Sequence, residues 1–150
     1  MSDKSPFSPE KISMIEFKFM KGQVDMPEMF EMDKVKGHKL ENSLELAFNL
    51  EEKLVKADFN IQISTESEGA NDEETKGSFH LVFIYDVENL DVLAKPAEDG
   101  LIDLHPDLGN ALSAISYSTA RGILLTRLQG TALQNFVLPV INPNKLLHKK

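Results

Sequence analysis

The chain has no cysteine and no tryptophan, and only Arg121 and Arg127 are arginines among its 150 residues. Without cysteine there is no disulfide framework, no thiol nucleophile and no thiolate metal site. That absence suits a reducing compartment, and a cytoplasmic location is expected. Two arginines are too few to line a phosphate site with guanidinium groups. Positive charge is scarce overall, with a net charge of −8. This argues against a nucleic-acid backbone or an anionic membrane as the main partner, since both demand clustered Lys and Arg. The opening MSDKSPFSPEK has no apolar signal region and no later run approaches the length of a membrane span. A soluble chain without membrane insertion is expected.

Chemical motifs are also missing. The four histidines, His38, His80, His105 and His148, stand in unrelated segments without a metal-ligand spacing. No GxSxG, Walker loop or GxGxxG occurs. His80 lies in a strand pattern, where a lone histidine is more often structural than a general base. The expectation is no enzyme, no metal and no cofactor.

What is present is a strand-rich chain ending in one long helix. The length fits a single domain over residues 1–150, large enough to bury a core, with residues 1–11 as a loose polar arm. A strand begins at Ile12, placing Ile15, Phe17 and Phe19 on one face and Met14, Glu16, Lys18 and Met20 on the other, until Gly22 and Pro27 break it. Residues 24–40 have no steady period but carry Met26, Met29, Phe30, Met32 and Val35, apolar content that is unusual for a solvated loop. Leu44, Leu46, Phe48 and Leu50 then alternate with polar positions, as do Ala57, Phe59, Ile61 and Ile63, the signature of an antiparallel sheet covered on one side. The acidic stretch Ser64–Gly77, with Glu66, Glu68, Asp72, Glu73 and Glu74, reads as a solvated hairpin loop. The strand FHLVFIYD is apolar on both faces, which predicts a central position or a covering partner chain. Residues 87–103 read as a linker with helical potential near Val87–Ala94.

From His105 a helix is predicted, with Pro106 suited to its first turn and Gly130 to its stop. Leu108, Leu112, Ile115 and Ile123 form a stripe interrupted at Thr119. A second row, Ala114, Ser118 and Gly122, has only small side chains at four-residue spacing, and Gly122 costs about 1 kcal/mol against alanine in a helix. The row either faces the chain's own sheet or meets a second subunit. Leu124, Leu125 and Leu128 make the second half apolar around most of its girth, more than one small sheet can bury. A homo-oligomer is inferred.

The six methionines all fall within the first 32 residues. Methionine is unbranched and polarizable, so a surface rich in it adapts to varied partners; the same property suits gap-filling in a core.

In this arrangement the sequence resembles the SecB-type export chaperones and their SecB-like relatives. Pro27-Glu28-Met29-Phe30 looks like the family's proline–phenylalanine element, and residues 43–51, 56–65 and 78–86 look like strands of its sheet. Thr119-Ala120-Arg121 resembles its Tyr-Ala-Arg stretch, with threonine for tyrosine. Gly130-Thr131 resembles its glycine turn. Val137-Leu138-Pro139-Val140-Ile141-Asn142 resembles its Leu-x-Pro-Val-Asn segment with one residue inserted, followed by Leu146-Leu147. The resemblance spans about residues 12–147.

The resemblance implies an α+β fold, a four-stranded antiparallel sheet covered by the long C-terminal helix, with dimers pairing into tetramers through the helices. It implies an ATP-independent holdase that binds non-native polypeptide clients in apolar grooves. An acidic surface would suit docking to a basic patch on a SecA-type export motor. The family's second helix and acidic tail look shortened, and the end is basic instead, with Lys145, Lys149 and Lys150. That departure makes room for a relative serving one client, such as an antitoxin. The peptide-binding groove is assigned to Met26, Met29, Phe30, Met32, Phe48, Phe83 and Leu138, and the oligomer interface to Ala114, Ser118, Gly122 and Leu125. Two other readings are kept: a dedicated single-partner adaptor of the same fold, and a small hydrophobic-ligand binder with its pocket between sheet and helix.

Overall fold

In the computed structural model, which describes residues 6–69 and 73–147, four long strands make one antiparallel sheet. They are β1 (Ile12–Asp25), β2 (Val35–Asn49), β3 (Leu54–Ser67) and β4 (Lys76–Val87), in the spatial order β1-β4-β3-β2. A four-residue helix α1 (Leu90–Leu93) leads into a small hairpin of β5 (Ala94–Pro96) and β6 (Ile102–Leu104). The long helix α2 (Pro106–Arg127) and a final turn of helix α3 (Asn144–Leu147) complete the chain. The expected α+β architecture stands. Asp72, His148, Lys149, Lys150 and the first five residues of the N-terminal arm lie outside the described residues.

Strand β3 shows why the sheet has one dry face. Val55, Ala57, Phe59, Ile61 and Ile63 are buried, whereas Lys56, Asn60 and Gln62 between them are exposed. Phe79, Leu81, Phe83 and Tyr85 continue this face on β4. Strand β4 is central, between β1 and β3, as its two apolar faces require.

Helix α2 lies across the dry face. His105 caps its start, its Nδ1 accepting from the Asp107 N–H at 3.1 Å, and Pro106 occupies the first turn. Beyond its end Gly130 takes φ +82°, a left-handed conformation that glycine adopts without strain. The helix buries Leu108, Leu112, Ser116, Tyr117, Ala120 and Leu124. Leu108 and Leu112 of the expected stripe are buried and Ile123 is partly buried, but Ile115 is 37% exposed, and the inward face runs instead through Ser116, Ala120 and Leu124. The sheet beneath is filled by the rings of Phe59, Phe83 and Tyr85, so close approach selects small side chains from the helix. Ser113, Ser116 and Ala120 supply them. Burial pushes the Tyr85 phenol pKa up, and its hydroxyl is satisfied by Ser116 Oγ at 2.7 Å.

Three expectations are corrected. Strand β2 begins at Val35, so the connection after β1 is shorter than the aperiodic stretch suggested. Register shifts between Met14 and Glu16 and between Phe19 and Lys21 mark β1 as twice bulged. The first bulge turns Met14 to the same face as Phe17 and Phe19, opposite Tyr85, Phe83 and Leu81, which simple alternation cannot show. Residues 6–11 of the arm are fastened: Asn89 Nδ2 donates to the Pro6 carbonyl at 2.7 Å, the Glu88 N–H donates to the Lys11 carbonyl, and Phe7 packs on the core.

The tail after α2 is built into the molecule. Leu133, Phe136 and Leu138 join Leu124 and Leu128 in the core. Tyr117 donates to the Pro139 carbonyl at 2.5 Å and Arg121 Nε to the Leu138 carbonyl at 3.1 Å. Residues that carry the family resemblance are thus the clamp between helix and tail. Leu133 presses on β4 where Gly77 has no side chain: a Cβ there would lie 2.7 Å from Leu133 Cδ1 and 3.0 Å from Phe79 Cε2. Gly77→Ala is therefore expected to destabilise by about 1–3 kcal/mol, read as a lower urea midpoint at unchanged slope. An unaltered midpoint would mean that the tail does not pack this tightly.

The tail also predicts a pH dependence. The His38 ring meets Phe136 edge-on at 5.4 Å between centroids. Burial lowers the His38 pKa, outweighing the opposite effect of Glu66. An imidazole with a depressed folded-state pKa is protonated first in the unfolded chain, which titrates at about 6.5. Stability should fall as pH drops through that value and level off below the folded pKa. Urea titrations on either side of it, repeated on His38→Phe, isolate the contribution, and an identical pH slope in the variant would refute it.

Candidate functional site

The strand order dictates where the apolar loop goes. Strands β1 and β2 are consecutive in sequence but occupy opposite edges of the sheet. The chain must cross three interstrand gaps between them, about 14 Å. Residues 26–34 make that crossing at the sheet end where the β3–β4 connection also emerges. The Glu68 N–H donates to the Lys34 carbonyl at 3.0 Å and ties the loop to that connection. Pro27 and Phe30 close a turn through the Phe30 N–H and the Pro27 carbonyl, and Met32–Lys34 form a 3₁₀ turn before β2.

On this loop Met26 is 58% exposed and Met29 87%, with Phe30 half-buried beside them. Met32 is exposed as well. A cleft of about 440 Å³ is lined by Pro27, Met29 and Phe30 on one side and Ser67 and Glu73 on the other. A second, of about 530 Å³, lies under Met26 and Pro27 against Glu74 and Lys76. Glu28, Glu31 and Glu73 line the first cleft together with Lys34, which is ion-paired with Glu31 at 3.0 Å.

The far wall is held by Glu74. Its carboxylate accepts from Thr65 Oγ1 at 2.7 Å, from the Ser67 N–H at 2.9 Å and from Ser67 Oγ at 3.0 Å. Burial alone would raise its pKa, but these hydrogen bonds outweigh that and hold it below the usual carboxylate range. Glu74 is therefore a positioning group for the β3–β4 connection.

The structure gathers four of the seven residues expected to form a groove, Met26, Met29, Phe30 and Met32. The other three lie elsewhere. Phe83 is fully buried, packed against Phe17 with ring centroids 5.3 Å apart. Leu138 is 1% exposed in the clamped tail. Phe48 is half-buried at the far end of β2, about 40 Å along the strand from the loop. None of these three meets the clefts.

The small row on α2 points away from the sheet. Ser118 and Gly122 are exposed, Ala114 is half-buried, and a Cβ at Gly122 would meet nothing within 4 Å. Leu125 beside them is 43% exposed. Leu124 and Leu128, counted with it as surplus apolar surface, are covered by the chain itself. A second apolar surface escaped the sequence reading: Met14, Ile15, Phe17 and Met20 are all exposed on the edge strand β1. Of these, Ile15 and Met20 are the residues at the two bulges, for which alternation alone carries no signal.

The outer face of the sheet is mostly polar. On it His80 Nε2 contacts Asp58 Oδ1, and Gln62 Nε2 donates to Ser78 Oγ at 2.9 Å. Neither loop cleft includes His80 or Asp58. Among the described residues no group of three or more His, Asp or Glu is placed to hold a metal ion, and no helix is long and apolar enough to cross a membrane.

No protein-family model matches the chain, and no curated protein matches it. Among solved structures, it is similar to the SecB-like chaperone Rv1957 of Mycobacterium tuberculosis, in complex with a ChAD peptide from the antitoxin HigA1 (Rv1956). That likeness has a TM-score of 0.65 at 11% identity and covers 89% of this chain and 92% of the other. The fold is SecB-like. A Streptococcus agalactiae protein of unknown function aligns over 86% of this chain and 97% of its own at 13% identity, but with a TM-score of 0.33, too low to support an argument.

Proposed function

We propose that this protein is an ATP-independent chaperone that holds extended, apolar segments of non-native polypeptides. The observation that carries the reading is the crossing loop, which presents Met26, Met29 and Phe30 at open clefts at the end of the sheet, with Met32 exposed on the same loop. Folding does not bury Met29, and a partner that covers it gains apolar burial. Strand β2 leaves the loop as a sheet edge, so a client seated on the loop can add backbone hydrogen bonds along that edge. The SecB-like fold supports the reading. Phe48, Phe83 and Leu138 are not part of the proposed site, because two are core residues and one is remote. The reading places the protein in the cytoplasm and gives it no catalytic role.

A panel of unrelated unfolded proteins tests the proposal by light scattering. Suppression of aggregation across the panel, without nucleotide, is the expected result. A second reading, a dedicated adaptor serving one partner such as an antitoxin, is favoured by the peptide in the solved SecB-like chaperone. Suppression of one client alone would select it. Delivery to a SecA-type export motor is compatible with the acidic surface and would require binding to a basic site on that motor.

The proposed assembly is a homo-oligomer, a dimer of dimers, using the outward row Ala114, Ser118 and Gly122 with Leu125. Within one chain nothing opposes a side chain at Gly122. Gly122→Leu should therefore leave the subunit folded but lower the mass measured by light scattering on a sizing column. A wild-type monomer, or a variant of unaltered mass, would rule out this interface.

A further inference from the structure

The methionines are distributed in a way that assigns a modification site. All five among the described residues, Met14, Met20, Met26, Met29 and Met32, are 38–87% exposed, and none of the buried apolar residues is methionine. The chain has no cysteine or tryptophan to consume an oxidant. Both tyrosines, Tyr85 and Tyr117, are buried. Two-electron oxidation is thereby directed to thioethers, and three of the five sit on one nine-residue loop, residues 26–34. Met29, at 87% exposure, is the most open of them and forms part of the wall of the 440 Å³ cleft.

We propose that the thioethers of Met26, Met29 and Met32 are sites of reversible sulfoxidation, and that their oxidation switches off polypeptide binding at the loop while the fold persists. The inference rests on the chaperone reading of this loop. A sulfur lone pair takes the oxygen atom of hypochlorous acid or a peroxide. The sulfur is oxidised by two electrons, and the oxidant is reduced to chloride with release of a proton, or to water. A methionine sulfoxide reductase returns the thioether using two electrons and two protons from a dithiol, with loss of water. Each sulfoxide places a strong dipole where a client's apolar side chain would sit, and that dipole loses its water when the client binds. The core contains no described methionine, so the same chemistry leaves the packing between sheet and helix alone.

The test uses the full chain and a fluorescein-labelled extended peptide with apolar residues at alternating positions. Anisotropy is read before oxidation, after a small excess of hypochlorous acid, and after a sulfoxide reductase pair with dithiothreitol. Sulfoxides are assigned by peptide mass mapping and folding is followed by thermal melting. Oxidised wild type should bind roughly tenfold more weakly with its melting temperature retained, and reductase should restore binding. M26L/M29L/M32L should bind equally before and after oxidant. M14L/M20L, altered only on β1, should behave as wild type. Unchanged binding with Met29 fully converted would overturn the switch, as would equal loss in the triple leucine variant or protection by M14L/M20L. Absence of binding before oxidant is added is a separate result: it overturns the chaperone reading and this inference together.

Discussion

Phe83→Ala lowers stability by about 3–5 kcal/mol, the cost of emptying a fully enclosed aromatic site. Phe83 has no exposure and packs with the rings of Phe17 and Tyr85. Its partner on β3 is Ala57, too small to fill the space. For a chain of this size each kcal/mol moves Tm by about 3 °C, so a drop of roughly 10 °C is expected. Any loss of client binding should follow the loss of folded protein. Full stability combined with loss of binding would return Phe83 to the peptide site and mean that the sheet opens to clients.

The paired change Met29→Ser with Phe30→Ser has the opposite profile. Met29 is 87% exposed, so its replacement should alter stability by no more than about 0.5 kcal/mol. Phe30 is half-buried and adds some cost. Covering a fully exposed apolar side chain is worth about 1.5–3 kcal/mol, and Phe30, already half-buried, has less left to gain. A combined loss of about 3 kcal/mol, at about 1.4 kcal/mol per tenfold, should weaken binding roughly a hundredfold. Suppression of client aggregation should disappear with it. A variant that protects clients as well as wild type would remove the loop from the binding site.

The two profiles separate residues that look alike in the sequence. Both Phe30 and Phe83 are aromatic residues in apolar stretches, and alternation marked the second as central without saying whether either of its faces was open. What decides is strand order. The chain crosses from β1 to the opposite edge before forming β2, which lifts residues 26–34 off the dry face and leaves β4 in the middle. Strand order depends on pairings between distant residues, such as Phe17 with Phe83, that local periodicity does not encode.

Other features were legible because they are local. The alternation of β3, Pro106 at the helix start and the left-handed Gly130 at its stop each follow from backbone chemistry within a few residues. Ile115 lies off the inward face of α2 although hydrophobicity alone would place it there. Against a sheet crowded with rings, Ser116 and Ala120 fit and a β-branched side chain does not. The bulge at Ile15 exchanges the faces of the residues after it and the bulge at Met20 exchanges them back, and no residue type announces either.

The central claim is that polypeptide is held at the crossing loop. The methionine methyl groups report on it directly, because the described methionines occupy two separate surfaces, Met14 and Met20 on β1 and Met26, Met29 and Met32 on the loop. A methyl NMR titration of ¹³C-methyl-methionine protein with the extended apolar peptide reads both surfaces at once. The account predicts that the methyl signals of Met26, Met29 and Met32 shift or broaden in proportion to bound peptide while those of Met14 and Met20 hold their positions. Shifts confined to Met14 and Met20, or unmoved loop methyls at saturating peptide, would contradict it.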